Sequence, residues 1–163
     1  MNKPLIIVYS YHHGNTRRVA SAMAEILHAD VKAPDDVKPE ELDGYGLIGF
    51  GAGIDSGKHY KPLLAFAGKL PAAPDKKAFI FSTSAILSGK KMASDHTALR
   101  EILCARGYDI LDEFTCKGFN TNSFLTYLGG MNKGRPNADD LKAAKAFADK
   151  LSQATILPTG GKA

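Results

Sequence analysis

The sequence predicts an α/β fold of three layers, a doubly wound five-stranded parallel sheet in the order 2-1-3-4-5 with helices on both faces. Three observations carry that prediction. The apolar runs at 5–9, 45–51 and 78–81 are continuous rather than alternating, as in strands covered on both faces. Segments with apolar residues at helical spacing separate them, which is how parallel neighbours have to be joined. The polar, glycine-bearing stretches 10–16, 52–60, 82–90 and 117–136 all come after predicted strands, whereas the connections leading into strands are short and built from Pro, Asp and Lys. The polar stretches therefore gather at one edge of the sheet, where open α/β sheets hold ligands.

Taken in order, residues 5–9 form the first strand. After the turn at 10–16, Val19, Ala20, Met23, Ala24 and Leu27 share one face of a helix running from about Thr16 to His28. Residues 30–33 are a short second strand near an edge. Pro34 and Pro39 break the stretch between it and the third strand, and Pro39 suits the first position of a single helical turn. Residues 45–51 are the third strand, whose glycines predict close approach by neighbouring elements. Residues 52–60 read as a polar loop. Pro62 then starts a helix with Leu63, Phe66, Ala67 and Leu70 on one face, ended by Pro71. Residues 78–81 are the fourth strand. Ser94 is the expected cap of a helix that buries Leu99, Ile102 and Leu103 and closes at Arg106-Gly107. Residues 108–116 are the fifth strand. Residues 117–136 form a long irregular segment, a feature usually tied to function in a compact domain. Asn137 caps the last helix, with Asp139 and Asp140 in its first turn, where acids complement the helix dipole. Residues 1–154 are expected as one domain and 155–163 as a tail.

The totals narrow the function. The chain has 163 residues, 44% hydrophobic and 23% charged, which is ordinary for a globular domain. No apolar run reaches membrane-span length, and the N-terminal stretch lacks the apolar region of a signal peptide, so a cytoplasmic location is expected. A net charge of +4, from 21 basic and 17 acidic residues, is mild; the basic residues are scattered and Trp is absent, which argues against nucleic acid as a partner. Cys104 and Cys116 form no CxxC or zinc spacing and are expected as reduced, buried thiols.

The turn after the first strand carries the clearest chemistry. A phosphate dianion at a helix N-terminus needs N–H donors, hydroxyls and a glycine where backbone must come close. Ser10, Gly14, Asn15 and Thr16 supply those types. Arg17 and Arg18 then stand in the first turn of a helix, where cations oppose the dipole by roughly 0.3–1 kcal/mol each and a bound anion would reverse the penalty. His12 and His13 are adjacent turn residues, better placed to donate hydrogen bonds than to share a metal, and no metal site is expected. The stretch 53–59 fails as a nucleotide P-loop, with three residues between Gly53 and Gly57 and His59 where Ser or Thr must hold magnesium. It reads instead as backbone laid against a planar ring, with His59 and Tyr60 as flat neighbours. Thr83 and Ser84 offer hydroxyls at the end of the fourth strand, and Gly118, Phe119, Asn120 and Thr121 close the same side.

Together these residues resemble the flavodoxin family, and the resemblance spans nearly the whole chain. His13-Gly14-Asn15-Thr16 is similar to that family's T-G-N-T phosphate loop, with one residue inserted after Ser10. Residues 51–60, Gly-Ala-Gly-Ile-Asp-Ser-Gly-Lys-His-Tyr, resemble a subgroup of single-domain flavodoxin-like proteins whose loop reads G-S-G-I-Y-x-G-K-H. Segments 81–84, 113–119 and 129–136 match the same subgroup. The resemblance implies an FMN-binding fold used for electron transfer, with redox partner proteins or a small electron acceptor. It implies phosphate at Ser10 and at His12, His13, Gly14, Asn15 and Thr16. The isoalloxazine ring would lie between the loop at 52–60, with Ala52, Gly53, Ile54, Asp55, Gly57, Lys58, His59 and Tyr60, and the loop at 83–86, with Thr83, Ser84 and Ala85, while Gly118, Phe119, Asn120 and Thr121 stand close by. Lys58 and His59 are expected to favour the anionic reduced flavin.

The chain departs from the family in lacking Trp, in having Asp55 where the subgroup has Tyr, and in being basic, so docking through an acidic patch is not expected. The loop at 51–60 also looks like that of flavodoxin-like protoporphyrinogen oxidases, whose long basic helical insertion has no counterpart here. No acid–base pair or nucleophile stands out, which favours a carrier over a stand-alone oxidoreductase. The alternative is an FMN-dependent oxidoreductase acting on a quinone or porphyrinogen. A flavin-free phospho-receiver is disfavoured because the first strand ends in Ser10-Tyr11-His12, without the paired acids such a domain needs.

Overall fold

A computed structural model describes residues 2–11, 13–119 and 130–156. Its strands are β1 (Leu5–Tyr9), β2 (Asp30–Lys32), β3 (Leu47–Asp55), β4 (Lys58–His59), β5 (Lys77–Ser84) and β6 (Asp109–Lys117). Its helices are α1 (Asn15–Leu27), α2 (Lys61–Gly68), α3 (Gly89–Asp95), α4 (Thr97–Ala105) and α5 (Ala138–Ile156), with 3-10 turns at Pro34–Asp36 and Pro39–Gly44. The sheet runs β2-β1-β3-β5-β6, all parallel, and β4 pairs antiparallel with the end of β3. The five predicted strands stand in the predicted order.

The continuous apolar strands divide their side chains between two cores. Leu5 and Ile7 of β1 join Leu63 and Phe66 of α2 and Leu99 and Leu103 of α4. Ile6 and Val8 face Val19 and Met23 of α1 and Ala144, Ala148 and Leu151 of α5. That split is the physical reason β1 has no polar face: both of its faces are covered. Gly49 and Gly51 of β3 are needed for a related reason. The rings of Phe79 and Phe81, registered beside them on β5, occupy the space a Cβ would fill at either glycine.

Several local expectations change. Residues 52–60 are a β-hairpin rather than an irregular loop. Ser56 (φ 52) and Gly57 (φ 79) form its two-residue turn, the positive-φ pair that matches strand twist. The helical segment before β6 begins earlier than Ser94. Ser88 caps α3 by accepting the Lys91 N–H at 3.0 Å, and His96 separates α3 from α4. Cys104 is exposed on α4, while Cys116 is buried on β6, where burial pushes its thiol up to about 12. The last helix runs on to Ile156. Its start is as predicted and is reciprocal: Asp140 N–H donates to Asn137 Oδ1 at 3.0 Å, and Asn137 N–H donates to Asp140 Oδ2 at 2.8 Å. Asn137→Ala is therefore expected to lower stability by about 1 kcal/mol, read as a shifted urea midpoint at unchanged slope.

Candidate functional site

The chain leaves β1 into a tight polar turn. His13 (φ 43) and Gly14 (φ 65) are both left-handed, and they swing the backbone into α1 at Asn15. Ser10 Oγ accepts the Arg17 N–H at 3.2 Å, which holds the turn against the helix. The first N–H groups of α1 have no intrahelical acceptor, and its first turn holds no acid. Two side chains then tie this turn to the far side of the sheet. Asn15 Nδ2 donates to the Phe119 carbonyl at 2.8 Å, and Thr16 Oγ1 is hydrogen-bonded to Thr83 Oγ1 at 2.8 Å in a buried position.

The result is a crevice across the carboxyl ends of β1, β3, β5 and β6. Tyr11, Asn15 and Thr16 line it from the turn, and Gly53, Ile54 and Tyr60 from the hairpin. Thr83, Ser84 and Ala85 line it from the end of β5, and Gly118 and Phe119 from the end of β6. Its aromatic walls come from residues far apart in sequence. Tyr60 covers Gly53, where a Cβ would lie 2.7 Å from the ring, and meets Tyr11 edge-on at 6.2 Å between centroids. On the other side the His13 ring lies 4.3 Å from that of Phe119. Flat surfaces thus flank a polar floor without tryptophan.

The remaining predicted residues are distributed around that crevice. Ser10, His13 and Gly14 belong to the turn itself. Asp55, Gly57 and Lys58 are exposed at the hairpin tip. Ala52 is fully buried in the sheet, and His59 is 1% exposed beneath the hairpin. His12, Asn120 and Thr121 lie outside the described residues. No cluster of metal-ligating side chains occurs among the described residues.

His59 shows the largest departure from sequence expectation. Its Nε2–H donates to the Phe81 carbonyl at 3.0 Å, and its Nδ1 is buried with no hydrogen-bond partner among the described residues. Burial, and then the neighbouring His96 ring at 4.9 Å, push its pKa down to about 3. The ring is therefore neutral and supplies no cation to a reduced flavin; Lys58 is the cation of this hairpin.

His96 anchors a buried polar chain that sequence reasoning missed. Its Nδ1–H donates to Glu113 Oε2 at 2.9 Å, and its Nε2 is hydrogen-bonded to Ser82 Oγ at 2.7 Å. Ser82 Oγ is also hydrogen-bonded to Thr115 Oγ1 at 2.9 Å. Arg100 grips Glu113 with two N–H groups. Burial lowers the His96 pKa against the pull of Glu113. Burial alone would raise Glu113, but hydrogen bonds from Arg100 and His96 outweigh it and hold the carboxyl below its usual range. Ser, His and Glu in this order copy the connectivity of a hydrolase triad. With His96 at 0% and Ser82 at 1% exposure, no substrate reaches them, so the chain of hydrogen bonds is structural. The one sequence signal for it is the four-residue step from His96 to Arg100 facing an acid within an apolar strand.

Known proteins share this architecture. A family model described as Flavodoxin domain matches residues 6–148. An uncharacterized protein of Methanocaldococcus jannaschii is 44% identical over 149 residues, covering 91% of this chain and 97% of that protein. The oxidised Flavodoxin 2 from Bacillus cereus superposes with a TM-score of 0.69 at 16% identity, over 93% of this chain and 99% of that one. A flavodoxin, WrbA-like protein from Agrobacterium tumefaciens gives 0.65 at 20% identity, over 94% and 98%. At such identities the structural matches speak for the fold.

Proposed function

The chain belongs to the flavodoxin domain family, and from that premise we propose that it binds FMN at the crevice and passes electrons to a redox partner. The observation that carries this reading is the convergence of four strand ends on one polar crevice, beside a left-handed turn that opens a helix whose first N–H groups lack intrahelical acceptors. The donor set fits the group. Ser10 and the backbone of Gly14, Asn15 and Thr16 would hold the phosphate, with Arg17 and Arg18 balancing its charge. Gly53, Ile54, Thr83, Ser84 and Gly118 would meet the ring edges, while Tyr60, Tyr11 and Phe119 shield the crevice from water.

Bound FMN supplies reversible electron uptake; the protein's part is to hold it and to set the field around it. Lys58 favours negative charge at the crevice, and neutral His59 keeps the sheet behind it uncharged. A cytoplasmic location belongs to the same proposal; no described helix is long and apolar enough to cross a membrane.

Quenching of flavin fluorescence tests the reading. Purified protein is expected to bind FMN tightly. Ser10→Ala is expected to weaken FMN about tenfold, the equivalent of one lost hydrogen bond to a charged group, while leaving riboflavin, which has no phosphate, unchanged. Protein that neither retains nor takes up FMN sinks the proposal. Steady turnover of a quinone with NAD(P)H and no added partner protein would make it an oxidoreductase rather than a carrier.

A further inference from the structure

The crevice edge carries a feature that extends beyond the walls that would enclose FMN. Large apolar side chains stand exposed at its mouth: Tyr11 is 57% exposed, Ile86 59% and Leu87 37%. Tyr11 lines the crevice, and Ile86 and Leu87 directly follow Ala85 of its wall. Three lysines adjoin the segments that form this mouth. Lys61 opens α2, and Lys90 lies in the first turn of α3. Lys133 follows Asn132, whose Nδ2 donates to the Ala85 carbonyl at 2.7 Å. All three lysines are exposed, and none forms an ion pair with a described carboxylate. Among the described residues of the loops at this edge, Asp55 is the one acid. Only α5 begins there with acids, and of its two Asp140 is paired with Arg135. The opposite edge mixes its signs, with Asp43, Asp75 and Asp109 beside Lys69, Lys76 and Lys77.

The placement of Lys61 and Lys90 opposes local stability. α1, α2, α3 and α4 have no acid in their first turns. A cation at the positive end of a helix is unfavourable by about 0.3–1 kcal/mol. A phosphate in the first turn would compensate the arginines of α1, but Lys61 and Lys90 belong to other helices and keep no counter-charge among the described residues. An apolar centre inside an uncompensated charged rim is the layout of a protein-docking surface.

We propose that this face docks an acidic one-electron redox protein, whose carboxylates meet Lys61, Lys90 and Lys133 while an apolar patch on it covers Tyr11, Ile86 and Leu87. The electron-transfer part rests on the FMN reading: a reduced flavin held in the crevice would give up one electron and the partner's oxidised centre would gain it, with no bond made or broken. The docking itself is a property of the chain.

The test uses an acidic rubredoxin and the basic mitochondrial cytochrome c as probes, titrated calorimetrically against the purified protein with and without FMN, at salt of about 20 and 200 mM. Rubredoxin is expected to bind the more tightly at low salt and to weaken about tenfold at the higher salt. Lys61→Glu/Lys90→Glu is expected to weaken it about tenfold more, and to strengthen cytochrome c. The same double variant is expected to melt at a higher temperature than the parent, because it reverses two unfavourable helix-end charges; misfolding then cannot account for lost binding. Lys38→Glu/Lys69→Glu, an equal charge change at the opposite edge, is expected to leave rubredoxin binding unchanged. Docking here is overturned if neither probe binds, if cytochrome c is preferred, if the Lys61/Lys90 variant binds like the parent, or if the Lys38/Lys69 variant loses as much. Rubredoxin binding by a protein that takes up no FMN would sink the flavin reading and leave the docking surface standing. FMN uptake without rubredoxin binding would do the reverse.

Discussion

Taking the protein from pH 7 to pH 5 is expected to lower its unfolding free energy by about 2 kcal/mol through His59 alone. The sign depends on where the proton binds first. In the unfolded chain the imidazole titrates near its ordinary value of 6.5, whereas in the folded protein burial holds it down to about 3. Between those values the unfolded state carries the extra proton. The stabilisation is therefore complete above about pH 6.5 and is lost progressively as pH falls toward 3. His96, also lowered by burial, adds loss of the same sign. Glu113, held below its usual range by Arg100 and His96 once burial is overcome, stays ionised through most of this window and adds its own loss only at the acid end. Urea unfolding at pH 7, 6, 5 and 4 measures the slope. His59→Gln, which keeps an N–H for the Phe81 carbonyl but cannot titrate, is expected to remove close to one proton from it. An unchanged slope in that variant would show that His59 takes up its proton without unfolding.

Gly51→Ala is expected to destabilise the fold by about 3 kcal/mol, at the upper end of overpacking in a well-packed core. The added methyl would fall on the Phe81 ring, which is fully buried and registered directly beside Gly51 across the β3–β5 ladder. The ring has nowhere to retreat, because Phe79 stacks beside it at 6.0 Å and α1 and α5 close that face. Thermal or urea denaturation reads the loss. Phe81→Leu placed in the same chain should recover part of it, since the two changes share one space and cannot be additive. Full additivity would mean that the strain resides in the backbone of β3 instead of the ring.

The polar turn that opens α1 is legible in the sequence because its ingredients are contiguous. Ser10 through Thr16 lie between an apolar strand and a periodic helix, so local pattern alone places them at a helix N-terminus. The hairpin at 52–60 is not legible. Its second strand is two residues long, too short for alternation to register, and its turn is Ser56-Gly57 rather than the Asn-Gly or Asp-Gly pair that signals a two-residue turn. The position of His59 is hidden for the same reason. In a loop it would face the crevice; paired across from Ile54 it turns inward under the hairpin. Helix α3 is invisible because seven residues with two lysines and no apolar face carry no helical period.

The layers and the edge at which the polar loops gather can be read from the chain without coordinates, and the strand order follows from the usual topology of a five-stranded doubly wound sheet. The layers depend on short-range periodicity, because a strand covered on both faces must be apolar throughout and a helix on one face must repeat near every fourth residue. Which polar groups meet is settled by the folded molecule alone. Asn15 reaches the carbonyl of Phe119 across 104 residues of sequence, and Thr16 reaches Thr83 across 67. His96, at the junction of α3 and α4, lies between Ser82 and Glu113 rather than on the surface. Such pairings depend on the rotation of each helix against the sheet and on the register of the strands, which long-range packing sets and no local pattern in the chain encodes.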